Sequence, residues 1–269
     1  MSLTIKTKWF DCSKLPNPSQ DTTVFCDVTD VPNGERSIYL QVEPEAILGL
    51  RRHLLLNGHR YNHIITFDHV ILRMFPHAKK YIFGGCWIRP EEYLSVDPAQ
   101  KQFQISSIVG SKQMTEGHRF RTKLYTQQQH LPSVTFYRSS REGTPIPEIQ
   151  RNPILAGDSK FELFKTYQFS LVIENSRQEN YFTEKLIDCL ITKTVPIYWG
   201  CPNIDDYFDT TGWIVLETTN VFELVELIKQ IDTGWYERHS AVIEDNYQRS
   251  LSYKDTDASI ARVFQELKN

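Results

Sequence analysis

The chain has 269 residues, of which 40% are hydrophobic, and its 30 basic and 33 acidic residues leave a formal net charge of -3. A chain of this length and composition can bury the core of one large or two small globular domains. The nearly balanced charge gives no global attraction to nucleic acid or to an anionic membrane, so any anion site has to be built locally.

The sequence contains no apolar run long enough to span a membrane, and residues 1–6 lack the continuous apolar core of a secretory signal. We therefore expect no membrane span and a cytoplasmic protein. The cysteines form an odd set without C-x-x-C spacing, which predicts free and mostly buried thiols rather than a disulfide framework or a zinc site. They are Cys12, Cys26, Cys86, Cys189 and Cys201.

The first part of the chain alternates short β-type runs with helical patterns. Apolar residues at helical spacing predict the helices, and short runs rich in β-branched and aromatic residues predict the strands. This alternation is typical of an α/β layer with a parallel sheet. The predicted strands are residues 4–9, 24–27, 37–42, 63–67 and 81–83, and the predicted helices are residues 45–57 and 68–74.

Glu43 is the most informative residue of this part, because it directly follows the predicted strand 37–42 and precedes Pro44. Pro44 suits the first position of a helix, so Glu43 would lie at a strand end. A carboxylate there can accept the proton of an attacking hydroxyl. Alternatively, Glu43 only supplies a favourable negative charge at a helix start. Glu45 is the neighbour with which it could be confused.

A turn and a linker are expected to separate two domains. Gly84 and Gly85 predict a tight turn, and they lack the G-x-G-x-x-G pattern of a phosphate loop. Residues 90–104 combine prolines and charges with little apolar periodicity, so they are the candidate linker. The predicted parts are a first domain in residues 1–98, a second domain in residues 99–245, and a C-terminal helix in residues 246–269 that could pack on the first domain.

The second part begins with a strand over residues 103–109 and a helix over residues 117–129, whose start is crowded by Arg119, Arg121 and Lys123. Basic groups at a helix N-terminus are unfavourable unless an anion is bound there. The later predicted elements are a strand at 134–137, a polar loop at 138–158, a short helix at 161–167, a strand at 213–217, helices at 220–231 and 235–249, and a last helix capped by Asp257.

Residues 168–200 are the stretch around which the chain is organised. A buried-type strand at 169–173 ends in a polar cluster, and the helix that follows carries Glu184 and Lys185 in its first turn. Ligands of parallel sheets bind outside the carboxyl ends of strands, so we expect an anionic group to dock here. Lys185 opposes the helix dipole, which favours an anionic partner. The alternative is a solvated lysine.

Three segments of this stretch closely resemble the donor-binding signature of family 10 glycosyltransferases, the α1,3/4-fucosyltransferases. They read E-N-S at 174–176, Y-F-T-E-K at 181–185 and V-P-I-Y-W-G-C-P at 195–202. The resemblance implies a GT-B fold, an α/β architecture of two Rossmann-like domains facing each other, with the sugar nucleotide on the second domain. It also implies an inverting transfer of fucose from GDP-fucose to a hydroxyl of an oligosaccharide or other glycan acceptor.

The resemblance further implies a role for each matching residue. Glu43 corresponds to the glutamate that the family uses as general base. Arg121, with Arg119 as runner-up, and Lys185 would stabilise the departing diphosphate. Asn175, Tyr181 and Glu184 would hold the ribose and phosphate, and Lys160 fits the family's lysine ahead of the helix at 161–167. Without the glutamate and lysine that follow it, Tyr181 would be taken as an aromatic residue of the core.

We expect no obligatory metal or cofactor besides the donor substrate, because the only Asp-x-Asp pattern, at residues 255–257, falls at the start of the last helix. Two other functions remain open. One keeps the fold and mechanism but uses a different sugar nucleotide, and the other is a non-catalytic module that binds a nucleotide sugar or a glycan.

Overall fold

The computed structural model describes residues 4–7, 22–139, 146–155 and 160–267. The chain divides into two compact units. Unit 1 comprises Met1–Phe83, Gln178–Tyr181 and Asp255–Asn269, and unit 2 comprises Gly84–Arg177 and Phe182–Lys254.

Unit 1 is built on a five-stranded sheet in which every neighbouring pair of described strands is parallel and the order is β1-β2-β3-β4-β5. The parallel sheet agrees with the α/β layer that the alternating pattern predicts. The strands are β1 Thr4–Thr7, β2 Thr22–Cys26, β3 Arg36–Leu40, β4 His63–Thr66 and β5 Ala78–Lys80. The first helices are α1 Glu45–Leu48, α2 Arg51–Asn57 and α3 His69–Met74.

Two predicted elements of unit 1 are different in the structure. The single helix expected over residues 45–57 is two helices, because Gly49 adopts a left-handed conformation with φ of 64° and ends α1. The strand expected at residues 81–83 is replaced by β5, and Tyr81 is instead a buried residue whose N–H donates to Thr66 O. The aromatic residues at 81–83 produced the sequence pattern of a strand, although Tyr81 is buried outside any strand.

Unit 2 contains a six-stranded sheet, again with every described pair parallel, in the order β11-β10-β9-β6-β7-β8. The strands are β6 Gln102–Val109, β7 Val134–Ser139, β8 Ile154–Leu155, β9 Tyr167–Ile173, β10 Val195–Trp199 and β11 Ile214–Val215. The chain moves outward in one direction from β6 and then returns to place β9 on its other side. This is the strand order of a Rossmann fold, with the reversal between β6 and β9.

The helices of unit 2 carry apolar residues at helical spacing, and these residues are buried against the sheet. They are α4 Pro90–Tyr93, α5 Glu116–Thr126, α6 Glu184–Ile191, α7 Val221–Ile228, α8 Trp235–Arg238 and α9 Ser240–Ser250. Phe120 and Leu124 of α5 and Leu224 of α7 pack against the fully buried side chains of β9 and β10 in one hydrophobic core. The helix expected at 161–167 is only a short 3-10 turn, Phe161–Leu163, because Tyr167 already belongs to β9.

Residues 90–104 are part of unit 2 rather than a linker, and the division between the units lies at Phe83 and Gly84 instead of residue 98. Tyr93 of α4 and Lys101 are buried. The Lys101 ammonium donates hydrogen bonds to Phe164 O, Tyr167 O and Thr194 Oγ1. A charged, proline-containing segment can therefore be an integral part of a domain when its polar groups find buried partners.

The last helix, α10 Thr256–Glu266, belongs to unit 1. Ile260 and Phe264 are buried in one cluster with Ile38 and Leu40 of β3. The helix cap is Asp255, whose side chain accepts from Ala258 N, and not Asp257 as the sequence suggested. An aspartate two residues later lies inside the first turn, where its charge is favourable but does not cap the helix.

Within the described parts of the chain, no helix has the length and apolar character that a membrane crossing requires. The described cysteines, Cys26, Cys86, Cys189 and Cys201, form no disulfide bond, and all but Cys86 are buried. Cys12 lies outside the described residues, as do residues 8–9 of the predicted strand 4–9.

Candidate functional site

The carboxyl ends of β6 and β9 meet the starts of α5 and α6 in unit 2, at the point where the strand order reverses. Gly117 makes the close approach of α5 to the end of β9 possible. Its N–H donates to Asn175 O over 3.1 Å, and a Cβ at this position would collide with the backbone oxygen of Glu174. The absence of a side chain at residue 117 therefore brings a helix start onto the strand end.

Gly117→Ala should destabilise unit 2, because the added methyl group forces α5 away from β9. We expect the free energy of unfolding, measured by urea denaturation, to fall by about 1–3 kcal/mol or more. Gly110→Ala is the matched control, since a Cβ there meets nothing within 4 Å. Equal stability of the two variants would contradict the close approach.

Arg121 of α5 reaches the end of β9. Its guanidinium donates to Ile173 O and, over 3.0 Å, to Asn175 Oδ1. Arg119 is more exposed, and its guanidinium donates instead to the backbone oxygens of Gln113 and Met114. The structure therefore brings Arg121 and Asn175 together at the strand end, whereas the Arg119 guanidinium is engaged by its own preceding loop.

Glu174 anchors the start of α6. Its carboxylate is fully buried and accepts from the N–H and the hydroxyl of Thr183, both over 2.8 Å, while the Lys185 ammonium lies 3.7 Å away. Burial raises the pKa of Glu174, and Lys185 and Thr183 oppose that rise. Thr183 in turn caps the helix by accepting from Lys185 N. A buried carboxylate thus holds the helix whose first turn carries the predicted donor-binding residues.

Glu184 lies between two lysines. Its Oε1 atom is 3.1 Å from Lys185 Nζ and 3.5 Å from Lys160 Nζ, and the Lys160 ammonium is also 3.9 Å from the centroid of the Trp87 ring. Burial pushes the pKa of Glu184 upward, but the two ammonium groups outweigh burial and lower it to about 2. Glu184 is therefore a carboxylate at neutral pH, able to accept hydrogen bonds from hydroxyl groups.

Lys185 stays protonated in this network. Burial disfavours its charge, yet the Glu184 and Glu174 carboxylates raise the pKa of Lys185 above its ordinary value. Lys160 shows the opposite balance, because burial lowers its pKa despite the attraction of Glu184. The first turn of α6 accordingly combines the charged group of a partly buried lysine with helix N–H groups, which is a favourable arrangement for an anion.

His118, at the start of α5, has a pKa that is lowered in part by nearby positive charges. Its Nδ1 atom accepts from Thr115 N over 3.2 Å at the start of α5. Burial is the largest cause that lowers the pKa of His118, and together with nearby positive charges it brings that pKa to about 4. Those charges belong to Arg121, Lys112, Lys185 and Arg119. Four cations thus lie near enough to lower the pKa of one imidazole, in a chain whose net charge is -3.

His118 should contribute a loss of stability on acidification between pH 6.5 and 4. His118 is neutral in the folded state down to about pH 4, whereas the unfolded chain binds a proton below its ordinary value of 6.5. The unfolded state thus binds more protons in this pH range. The free energy of unfolding therefore decreases as the pH falls. We expect His118→Gln to weaken this dependence, measured as the urea midpoint at pH 7, 5.5 and 4.

GDP, which the resemblance predicts as a ligand, provides the control for that measurement, because a bound diphosphate would neutralise the surrounding cations. Wild-type protein with saturating GDP should therefore lose less stability between pH 6.5 and 4 than wild-type protein alone. An unchanged pH dependence in both His118→Gln and the GDP complex would contradict the positive field inferred from His118.

Glu43 and Tyr181 belong to unit 1. Glu43 is half-buried in the connection from β3 to α1, with its N–H donating to Asp27 Oδ2 and its carbonyl accepting from Gln41 Nε2. Tyr181 is almost fully buried, and its ring centroid lies 5.3 Å from that of Phe67. This is the core position that the sequence left open as the alternative for Tyr181, so a contact of Tyr181 with the donor stays a prediction.

Several residues of this site were not assigned from the sequence. Glu174 was quoted only as part of a motif, although a carboxylate directly after a fully buried strand requires a buried partner. Gly117 and His118 gave no local signal, because their roles depend on the distant strand end that they meet. Ser176 was likewise only part of a motif; its hydroxyl is buried and has no hydrogen-bond partner among the described residues. A ligand could satisfy that hydroxyl.

The Asp-x-Asp pattern is not part of a metal site in the described residues. Asp255 caps α10, and no group of three or more His, Cys, Asp or Glu side chains in the described ranges is arranged to hold a metal ion.

Solved structures with a similar fold are glycosyltransferases that share the GT-B architecture. An α1,3-fucosyltransferase structure aligns with 99% of this chain and 88% of its own, with a TM-score of 0.58 and 16% identity. An α-glucosyltransferase in complex with UDP-glucose and DNA aligns with 93% of this chain and 80% of its own, with a TM-score of 0.57 and 14% identity. At these identities the likeness shows the fold, which is the GT-B fold expected from the sequence.

A model of glycosyltransferase family 10 (fucosyltransferase), C-terminal part, matches residues 99–247. The match covers more than half of the 269 residues, and the chain belongs to this family of glycosyltransferases. The resemblance stated from the donor-binding signature is thereby confirmed.

Relatives with assigned names are also fucosyltransferases. An α1,3-fucosyltransferase of Helicobacter pylori is 32% identical over 98 residues, which are 36% of this chain and 20% of the relative. The GDP-fucose protein O-fucosyltransferase 3 of Xenopus tropicalis is 27% identical over 179 residues, which are 64% of this chain and 37% of the relative. This chain thus spans between a fifth and about two fifths of the length of these two relatives.

Proposed function

We propose that this protein transfers fucose from GDP-fucose to a hydroxyl group of a glycan, with inversion at the anomeric carbon. The observation that carries the proposal is the group of cations at the point of strand reversal in unit 2, within the region that matches the family. A Rossmann-type sheet binds its nucleotide at this point, and a diphosphate is the anion that a nucleotide sugar would place there.

In the proposed reaction the acceptor oxygen forms a bond to the anomeric carbon while the bond from that carbon to the β-phosphate oxygen breaks. The bonding electrons leave with GDP, and the acceptor proton goes to the Glu43 carboxylate. Negative charge grows on the diphosphate as the bond breaks. Arg121 and Lys185 would stabilise that charge more in the transition state than in the ground state.

The donor would be held by the polar groups around the first turn of α6. Glu184, which is kept ionised by Lys185 and Lys160, can accept hydrogen bonds from two vicinal ribose hydroxyls. The Asn175 amide, whose oxygen accepts from Arg121, would orient the donor beside the diphosphate. Tyr181, which precedes this turn in the chain, would also contact the donor.

A protein hydroxyl is the second candidate acceptor. The reason is that GDP-fucose protein O-fucosyltransferase 3 of Xenopus tropicalis matches 64% of this chain, more than the 36% matched by the α1,3-fucosyltransferase of Helicobacter pylori. Transfer of radiolabelled fucose to a panel of free oligosaccharides and to folded, serine- and threonine-containing protein domains distinguishes the two.

Calorimetric titration with GDP, GDP-fucose, GDP-mannose, UDP-glucose and ADP-glucose, all in the presence of a chelator, tests the donor. The proposal expects binding of GDP and GDP-fucose without added metal. A response to another base with silence from the guanosine compounds would keep the fold and discard fucosyl transfer. Binding of GDP-fucose without turnover toward any acceptor or water would favour a non-catalytic module.

A further inference from the structure

The backbone that carries Glu43 is held by the side chain of Asp27. Asp27 Oδ1 accepts from Val42 N and Asp27 Oδ2 accepts from Glu43 N, each over 2.9 Å. Both oxygens of one carboxylate are therefore used on two consecutive N–H groups just beyond the end of β3. The Asp27 N–H itself donates to Leu40 O, so the ends of β2 and β3 are joined in both directions.

The backbone conformation and the burial of Asp27 are both energetically unfavourable. Its φ angle is 51°, a left-handed conformation that is uncommon outside glycine and is best tolerated by Asn and Asp. Its side chain is also buried, with only 5% of the residue exposed. Burial raises the pKa of Asp27 to about 7, the two N–H groups oppose the rise, and the negative charge of Glu43 adds to it. A strained, buried acid next to another acid lowers the stability of the fold. Such residues often occur at functional sites.

The carbonyl side of Glu43 is held as well. Gln41 Nε2 donates to Glu43 O over 3.5 Å, and Gln41 Oε1 accepts from the Thr66 hydroxyl over 2.5 Å. Gln41 and Thr66 are both fully buried. The peptide groups on both sides of the Glu43 Cα atom thus have buried partners, Asp27 after β2 and Gln41 after β3, whereas Glu43 itself is only half-buried.

We propose that Asp27 is a positioning residue, which fixes the backbone of Val42 and Glu43 so that the Glu43 carboxylate keeps one orientation toward the attacking hydroxyl. This inference rests on the proposed function of Glu43 as general base. A base that is held in place avoids the loss of rate that accompanies misplacement by about 1 Å, which can reach about 100-fold. Asp27 itself does not touch the substrate in this proposal.

A double-mutant cycle tests the inference with the whole protein. The rate is followed as GDP release from GDP-fucose with water as the acceptor, and donor affinity is measured separately by calorimetry. Asp27→Ala should lower kcat by about 10- to 100-fold with the affinity for GDP unchanged within about twofold. In the Glu43→Gln background, adding Asp27→Ala should lower the residual rate by less than about threefold, because Asp27 acts only through Glu43.

Two further variants separate positioning from folding. Asp27→Asn tolerates the same left-handed backbone and retains one acceptor oxygen, so its kcat should lie between those of wild type and Asp27→Ala. It also replaces Asp27→Ala in the cycle if that variant does not fold. Asp30→Asn is the matched control, because it removes a charge from an exposed acid on the same connection and should leave kcat unchanged.

The possible outcomes are distinct. If Glu43→Gln lowers the rate and the Asp27 effect is the same in both backgrounds, then Asp27 has a general structural role and the inference fails while the proposed base stands. If Glu43→Gln leaves the rate unchanged, the proposed base itself is wrong. If Asp27 variants lose GDP affinity instead of kcat, Asp27 does not act through Glu43.

Discussion

Glu43→Gln should lower the rate of fucosyl transfer by about 10²- to 10⁴-fold, because glutamine keeps the size of the side chain but cannot accept the proton of the acceptor. The effect should fall on kcat, since the proton moves only as the acceptor attacks. GDP affinity, measured by calorimetry, should stay the same, because the predicted diphosphate ligands Arg121 and Lys185 belong to unit 2. A binding module without catalysis would show no effect of this substitution.

Glu45→Gln is the appropriate control for Glu43. Glu45 begins α1, and its Oε2 atom accepts from Arg51 N over 2.7 Å at the start of α2. Glutamine retains an oxygen that can accept this hydrogen bond, so we expect the fold and the rate to be nearly unchanged. A large loss of kcat in Glu45→Gln with normal turnover in Glu43→Gln would transfer the role of base to Glu45.

The second half of the chain could be predicted well because its signals are local. The residues of β9 and β10 form short apolar runs, as expected of strands buried on both faces, and all their side chains are buried. The polar cluster after β9 and the basic start of α5 then pointed to the strand end at which Arg121 and Asn175 meet. Both features can be read from neighbours in sequence.

The parts that were missed depend on contacts between residues far apart in the chain. Gln178–Tyr181 belong to unit 1, although unit 2 precedes and follows them. The side-chain amide of Asn180 donates to Phe67 O. The backbone of Asn180 adopts a left-handed conformation, with φ of 61°. No hydrophobic periodicity in the sequence predicts that this short segment joins unit 1, because its position is fixed by a partner more than a hundred residues away.

The role of Asp27 could not be read from the sequence for the same reason. Asp27 follows the apolar strand β2 as an ordinary strand-ending acid would, and residues with this pattern usually face solvent. Only the parallel pairing of β2 with β3 brings its carboxylate to the N–H groups of Val42 and Glu43. A catalytic candidate can thus be found from a motif, whereas the residue that positions it requires the fold.

Lys185→Ala should weaken the binding of GDP by about 10- to 100-fold, which corresponds to the loss of one hydrogen bond to a charged group, about 1.5–3 kcal/mol. The Lys185 side chain is partly exposed, with 23% of it accessible, so we expect it to contact a ligand as well as Glu184. Lys229→Ala is the control, because Lys229 is exposed and pairs with exposed Glu226 on α7. Equal GDP affinity of wild type and Lys185→Ala would remove Lys185 from the site.

The same substitution should also destabilise the protein without ligand, because it leaves the fully buried Glu174 carboxylate with Thr183 as its remaining hydrogen-bonding partner at the start of α6. We expect a loss of roughly 1–3 kcal/mol at pH 7. Burial already raises the pKa of Glu174, and removal of Lys185 raises it further. Glu174 then binds a proton more readily in the folded than in the unfolded state, so acidification favours the folded variant.

The difference in unfolding free energy between wild type and Lys185→Ala should therefore shrink as the pH falls from 7 toward 4.5, the ordinary value for glutamate. Lys185→Arg retains the charge and should remain close to wild type across this range. A difference that is constant with pH would mean that Lys185 contributes packing rather than charge, and Glu174 would then need no cation to be buried. A difference that shrinks would link the charge of the anion site to the stability of the helix that carries it.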